Sequence, residues 1–370
     1  MDAIVKQFME LTAVPGVSKK EKPIIDSLKA ILEHLKLDFE EDGAHRHFGG
    51  EVGNLICKVS GNCSSAPPLL LAAHVDTVEE TCGNPEVRDG KIVSTCDRIL
   101  GADDRVGVTV LVEILKQVSR KDISFPPLEV VFVVAEEIGL QGSRFLDYRL
   151  LSARRGINFD ASARVGQVVV QAPTTLELFL RFSGREAHAA VNPEKGINAI
   201  TLAARAINRF DIPQHQDETT FNLGKICGGS HTNIIPRLVE VTGEARAFDD
   251  SKLQDRVGRI LRIGRDTAEE FGGKFELDTR VRYRSFSLAP GSKIVQLVRA
   301  AYADAGVEFV PVRYLAGSDA NNFNHHGIEA VNIGLGYKEN HTPREFIRVA
   351  DLVKDVELGI RMVEKAAQLE

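Results

Sequence analysis

The apolar residues of this chain fall in short runs, and run after run ends on an acid or a histidine. Leu69-Leu70-Leu71-Ala72-Ala73 stops at His74-Val75-Asp76-Thr77, and residues 129–134 lead to Glu136-Glu137. Gly156-Ile157-Asn158-Phe159 stops at Asp160, and residues 330–335 lead into a loop that reaches His341. Runs this short, without polar alternation, predict strands buried on both faces. Residues 106–118 read as a helix entered from Gly101-Ala102-Asp103-Asp104. At the N-terminus, residues 2–12 carry apolar positions at helical spacing until Pro15-Gly16 breaks them. Ser18-Lys19-Lys20-Glu21 has the form of a capping box and predicts a second helix to about Leu37. Apolar strands alternating with helices predict an α/β fold, a doubly wound and mostly parallel sheet covered on both faces. Ligands of such sheets bind beyond the carboxyl ends of the strands, and that is where the histidines and acids recur.

The pattern changes between about residues 172 and 286. A strand at 176–182 is followed by a helix at 196–210, strands at 220–227 and 238–248, a helix at 251–271 and a strand at 274–283. This βαββαβ order predicts a ferredoxin-like α+β unit, an antiparallel sheet with two helices on one face. A helix at 292–305 then resumes the first pattern. Residues 172–286 are therefore expected as a lid domain inserted into a catalytic domain built from 1–171 and 287–370.

Composition narrows the function classes. With 370 residues, 43% hydrophobic and 26% charged, the chain exceeds a single core and has too many apolar residues for disorder. Its apolar runs fall short of the ~18 residues that a membrane-spanning helix needs. The segment Met1-Asp2-Ala3-Ile4-Val5-Lys6 lacks the basic and apolar regions of a secretory signal. A net charge of −6 without a Lys/Arg block leaves no footprint for nucleic acid. The five cysteines are odd in number and form no CxxC pair, so they predict neither a disulfide framework nor a cysteine zinc ribbon, and read as small apolar or surface residues. A reducing cytoplasm fits best, with neither a membrane nor a nucleic acid as partner.

Each polar cluster taken singly has a plain structural explanation. His74-x-Asp76 can be a hydrogen-bonded pair at a sheet edge, Glu136-Glu137 the charge of a helix start, Asp160 an N-cap and His341 a loop histidine. Together they are imidazoles and carboxylates converging from separate elements, the donor set of a dinuclear site for divalent cations. Asp103, Glu137 and Asp160 would leave two such ions a net positive charge, which acidifies water. Asp76, two residues beyond His74 on the same strand face, is placed to receive that ring's other N–H. Glu136, beside a ligand but pointing elsewhere, is placed to take a proton from the attacking water.

The run 70–77 with His74-Val75-Asp76, the run Gly101-Ala102-Asp103-Asp104-Arg105-Val106-Gly107, Glu136-Glu137 within residues 135–143, Asp160 and His341 resemble the M20 metallopeptidase family, most closely its peptidase T-like branch of tripeptide aminopeptidases. The resemblance spans nearly the whole chain in order. It implies two divalent ions, Zn²⁺ with Mn²⁺ or Co²⁺ as alternatives. His74, Asp103 and Asp160 would hold one ion, and Asp103, Glu137 and His341 the other. Asp103 rather than Asp104 becomes the bridge through the match of Arg105, where a lysine is commoner, and of Gly107. Asp76 would orient His74, Glu136 would be the general base, and the peptide after Asp103 would be cis.

In the inserted segment, Gly184-Arg185-Glu186-Ala187-His188-Ala189-Ala190 with Asn192-Pro193 resembles a lid motif whose histidine polarises the scissile carbonyl, in some members from the partner subunit. Asn233, Arg246 and the Ser318-Asp319 loop resemble substrate contacts, the arginine reading a terminal carboxylate through its fork. The implied activity is hydrolysis of an amide bond in small peptides by a homodimer joined through the lid domain. An N-acyl amino acid deacylase on the same scaffold is the alternative. A non-catalytic metal-binding protein would gain little from Glu136, and no phosphate-cradling loop supports a phosphoesterase. Of the other histidines, His34 and His215 read as solvated and His45 and His47 as a mobile loop, while His325-His326 closes a helix before Gly327.

Overall fold

Four of the apolar runs become adjacent strands, β1 (Leu69–His74), β2 (Leu128–Val133), β3 (Arg155–Ala161) and β4 (Glu329–Gly334). They lie in the order β2-β1-β3-β4, all parallel. The computed structural model describes residues 2–63, 66–210 and 218–368, so His215 lies outside it. Every residue of β1 and β2 is buried, as their unbroken apolar sequences require. Leu55–Val59 and then Phe39–Glu41 extend the sheet antiparallel beyond β2. Gln167–Ala172 pairs antiparallel with β4 and parallel with Val310–Arg313, in a sheet of nine strands. The helices Asp2–Thr12, Ala102–Arg120, Lys293–Asp304 and Val349–Ala366 pack on one another and share a core with the sheet that includes Phe8, Leu71, Val110, Phe132, Phe159 and Met362. No helix among the described residues is long and apolar enough to cross a membrane.

The second helix runs from Lys22 to His34, and the expected capping box does not form. Ser18 Oγ donates instead to Asp76 Oδ2 at 2.6 Å, and Glu21 Oε1 accepts the N–H groups of Lys19 and Ala135 at 2.8 and 3.0 Å. The serine hydroxyl thus donates to a charged acceptor instead of accepting a helix-terminal N–H. The polar signal at 18–21 therefore belongs to the site described below. His45 and His47 also depart from expectation. They sit in a 3₁₀ turn, Ala44–His47, with the His47 ring stacked on Phe145 at 4.4 Å between centroids.

The helix Ala102–Arg120 begins four residues earlier than its apolar period suggests, because Asp103 and Asp104 have non-helical backbone angles within its first turn. The peptide between them is cis, as the resemblance implied. Gly107 lies where any Cβ would collide with the Phe159 carbonyl of β3 and with the Asp104 carboxylate. Only glycine lets the helix start approach the strand this closely.

By compactness the chain divides into Met1–Gln171 with Phe286–Tyr314 and Ser318–Glu370, and Ala172–Ser285 with Leu315–Gly317. The second unit is a four-stranded antiparallel sheet in the order Thr219–Gly228, Leu238–Ala247, Thr174–Ser183, Lys274–Tyr283. Its helices, Ala199–Arg209 and Asp250–Glu270, are started by side-chain caps from Asn198 and Asp249. Leu178, Leu180, Phe182, Leu202, Val241 and Ile260 give it a core of its own.

Candidate metal centre

The site is built where β1, β2 and β3 end. His74 closes β1, and its Nε2 lies 3.2 Å from Asp103 Oδ1 and 3.5 Å from Asp160 Oδ1, the latter on β3. His341 Nε2 lies 3.2 Å from Asp103 Oδ2 and 2.9 Å from Glu137 Oε1. Asp103 thus turns one oxygen to each histidine, and each histidine has one further carboxylate. Asp104 also comes within ligand reach of His74 and Asp160. Its two oxygens accept the backbone N–H groups of His74 and Gly107 at 3.2 and 3.1 Å, and it groups with His74 and Asp160 alone, whereas Asp103 has an oxygen 3.2 Å from each histidine.

This donor set fits a pair of divalent cations. Among the described residues, the three carboxylates form ion pairs with the two imidazoles alone. Hydrogen bonds to Asp103 and Glu137 push His341 up to about 10, and for His74 those to Asp103, Asp160 and Asp76 overcome a large opposing effect of burial. Burial raises Asp160 and lifts Glu137 to about 7. Asp103 is held low because both histidines outweigh its burial. A cluster that draws protons onto both imidazoles is short of positive charge, which metal ions supply.

Behind the donors, Asp76 ties the parts together. It is fully buried, and His74 Nδ1 lies 3.1 Å from its carbonyl oxygen and 3.4 Å from its Oδ1. Its carboxylate also accepts the N–H groups of Glu136 and Glu137 at 2.9 and 3.1 Å. With Glu21 on Ala135, buried acids hold three successive N–H groups of the turn after β2. Ala135 (φ 55°) and His341 (φ 62°) both take left-handed backbone conformations, a strain that clusters at functional sites.

Three further groups carry no signal in the sequence. Tyr337 donates its hydroxyl to Asp103 Oδ1 at 3.0 Å, and Asn340 Nδ2 donates to Asp103 Oδ2 at 2.8 Å. Glu345 accepts the N–H groups of Gly101 and Asp103 at 2.6 and 3.0 Å, anchoring the turn that presents the aspartate. Their roles depend on the path of the loop after β4, which residue spacing does not encode.

Comparison with known proteins agrees with this geometry. A family model described as the peptidase dimerisation domain of M20 matches residues 175–270, and one for peptidase family M28 matches residues 54–221, less than half of the chain. The crystal structure of the aminopeptidase PepT from Bacillus cereus ATCC 10987 is 35% identical, covering 99% of this chain and 98% of that one, with a TM-score of 0.89. A tripeptidase from Staphylococcus aureus Mu50 is 32% identical over 100% of this chain and 99% of that one, with a TM-score of 0.93. The uncharacterised protein YqjE of Bacillus subtilis strain 168 is 33% identical, covering 99% of this chain and 98% of that protein. The chain belongs to the M20 metallopeptidase family. Whole-chain similarity decides this over the partial M28 match.

In this M20 peptidase the remaining candidates lie in different settings. Glu136 is half-buried, and burial, reinforced by Asp160 and Glu137, pushes it well above the usual carboxylate range. Ser318 and Asp319 start the helix Asp319–His325 and are buried, Asp319 taking the Ser143 hydroxyl on one oxygen while the other has no partner among the described residues. In the second unit, His188 is exposed, and its Nδ1 accepts the N–H groups of Ala190 and Val191, both at 3.2 Å. Asn233 is exposed where the short strands Ala187–His188 and Ile234–Ile235 pair, its carbonyl accepting the Ala189 N–H at 2.9 Å. Arg246 forks onto both oxygens of Glu244 at 3.0 and 3.1 Å and donates to the Leu315 carbonyl at 3.1 Å.

Proposed function

We propose that this M20 peptidase is a two-metal aminopeptidase of short peptides, tripeptides foremost, working in the cytoplasm as a homodimer joined through residues 172–286. The observation that carries the reading is Asp103, one oxygen 3.2 Å from each of two histidines that have further carboxylates of their own. The PepT and tripeptidase relatives support the substrate class, and the dimerisation model at residues 175–270 supports the assembly.

Two divalent ions, Zn²⁺ by the donor chemistry with Mn²⁺ or Co²⁺ as alternatives, would supply Lewis acidity toward the scissile carbonyl and the attacking water when bound. His74, Asp103 and Asp160 would hold one, and Asp103, Glu137 and His341 the other. Asp76 fixes the His74 ring and, through two N–H groups, the position of Glu136. The Glu136 carboxylate takes the proton of the attacking water and delivers it to the leaving amine. His188 accepts on Nδ1, so its Nε2 carries the proton and donates to the carbonyl oxygen as charge develops there. Arg246 reads the terminal carboxylate of the peptide, with Asn233, Ser318 and Asp319 completing the substrate contacts.

A substrate panel tests the reading. Tripeptides with a free N-terminus should be cleaved, a chelator should abolish turnover, and added Zn²⁺, Mn²⁺ or Co²⁺ should restore it. N-acetylated tripeptides and N-acyl amino acids should be poor substrates. Preference for the N-acyl amino acids would replace the aminopeptidase by a deacylase, and turnover that survives full removal of metal would refute the centre.

A further inference from the structure

The loops that leave β3 and β4 at their carboxyl ends meet the start of the helix Val349–Ala366 around a cavity of about 300 Å³. Arg164, Lys338 and Arg348 line it, and Asp351, in the first turn of that helix, is the acid among its lining residues. Gly336 forms part of the wall with φ 78°, where a Cβ would come to 3.2 Å from both Val165 and Asp351. The left-handed backbone favours glycine there, and its missing side chain keeps the space open. Phe346, also in the wall, carries the Lys91 ammonium 4.3 Å from its ring centroid, which adds to the positive field.

These charges are short of partners. Among the described residues, none of Arg164, Lys338 and Arg348 forms an ion pair within 4.0 Å. Lys338 Nζ donates to the Ser162 carbonyl at 3.0 Å, and Glu339, the next residue, is held by Arg344 at 2.7 Å. Burial pushes the Lys338 amine down against the attraction of Asp351, and repulsion from Arg164 and Arg348 adds to burial. Three cations against one carboxylate leave the cavity two positive charges in excess. A cleft lined by one sign of charge concentrates counter-ions. Guanidinium forks meet the oxygens of a phosphate in pairs, and a lysine adds a point charge.

We propose that this cavity is a binding site for a small anion bearing a phosphate group, held by Arg164, Lys338 and Arg348. A phosphate monoester carries about −1.5 to −2 at neutral pH, which matches the excess, whereas a single carboxylate balances half of it. Val165 and Phe346 offer an apolar wall to the organic part of such a ligand. The site lies on the loop that also carries Tyr337, Asn340 and His341, so its ligand sits beside the metal centre and outside its donor set.

The test is calorimetric titration of the metal-loaded protein, at low salt, with inorganic phosphate, glycerol phosphate and succinate. Native protein is compared with Arg164→Gln, Arg348→Gln and the double variant, each checked for native metal content. The native protein should bind both phosphate compounds saturably and succinate more weakly, and added salt should weaken the binding. Each single substitution should raise Kd at least ~10-fold, the loss of a charged hydrogen bond, and the double variant should lose the event. Tighter binding of glycerol phosphate than of inorganic phosphate would assign the site to a monoester, and the reverse order to the free ion. Phosphate captured by the metal ions is insensitive to these arginines, so equal affinity in native and double variant would overturn the proposal. Crystals soaked in arsenate locate the ion directly. An anomalous peak between Arg164, Lys338 and Arg348 is expected, and a peak at the metal centre alone would overturn the site. Succinate bound as tightly as phosphate, and lost in the double variant, would overturn the phosphate assignment.

Discussion

Asp103 and Asp104 carry the same side chain and divide the work of the centre between them. Asp103 offers an oxygen to each histidine, whereas the Asp104 oxygens are occupied by two buried N–H groups. The meeting of His74, Asp103, Glu137, Asp160 and His341 was legible in the sequence because imidazoles and carboxylates recur after its apolar runs. Tyr337, Asn340 and Glu345 were not, because a hydroxyl, an amide and an acid in a loop have no spacing that marks their target. Asp355 is another buried acid, with both oxygens unpartnered among the described residues. Burial, with repulsion from Asp351, holds it well above the usual carboxylate range. Its folded pKa exceeds its unfolded one, so its neutral form is no liability below pH ~4, and stability is lost as pH rises from there toward the folded value. Asp355→Asn removes that titration. Its gain in unfolding free energy by urea titration over the native protein, both in one metal state, should grow between pH ~4 and pH ~8 to on the order of 1–3 kcal/mol. A gain that is the same at both ends would assign the effect to packing.

Among the elements, β1 to β4 were readable because strands buried on both faces need unbroken apolar sequence, whereas their order in the sheet is not written in those runs. Helix starts were less so. The one at Ala102 is hidden by the non-helical Asp103 and Asp104, and the one at Lys22 by a serine whose hydroxyl serves Asp76. On the strand Leu238–Ala247, Glu244 and Arg246 are two residues apart and so share a face, which explains their paired fork. As the proposed reader of a peptide carboxylate, Arg246 exchanges one carboxylate for another. Arg246→Ala should then raise KM roughly 10–100-fold, the equivalent of ~1.5–3 kcal/mol for a charged hydrogen bond, with metal content unchanged. The penalty should shrink for peptides amidated at the C-terminus, and Glu244→Gln should lower KM by releasing the guanidinium. Equal losses on free and amidated peptides would make Arg246 structural.

For the whole molecule, the sequence excluded classes before it named chemistry, through a mild net charge of −6 and the absence of any long apolar run. The fold class was legible because both sequence patterns are strong, strands alternating with helices and then βαββαβ, and each produced the sheet it predicts. Substrate choice was less legible, since the donor set serves any amide hydrolase and the distinguishing contacts belong to side chains whose partners lie far apart in sequence. The central claim is that the chain hydrolyses peptides by water that Glu136 deprotonates beside a two-metal centre. Replacing Glu136 by Gln keeps the size of the side chain and removes the base. Turnover of a tripeptide and metal content, measured on the same purified Glu136→Gln sample, test it most directly. The account predicts two metal ions per chain, as in the native protein, and a kcat lowered by at least ~10²–10⁴-fold. A fully metal-loaded variant that turns over at near-native rate would contradict it.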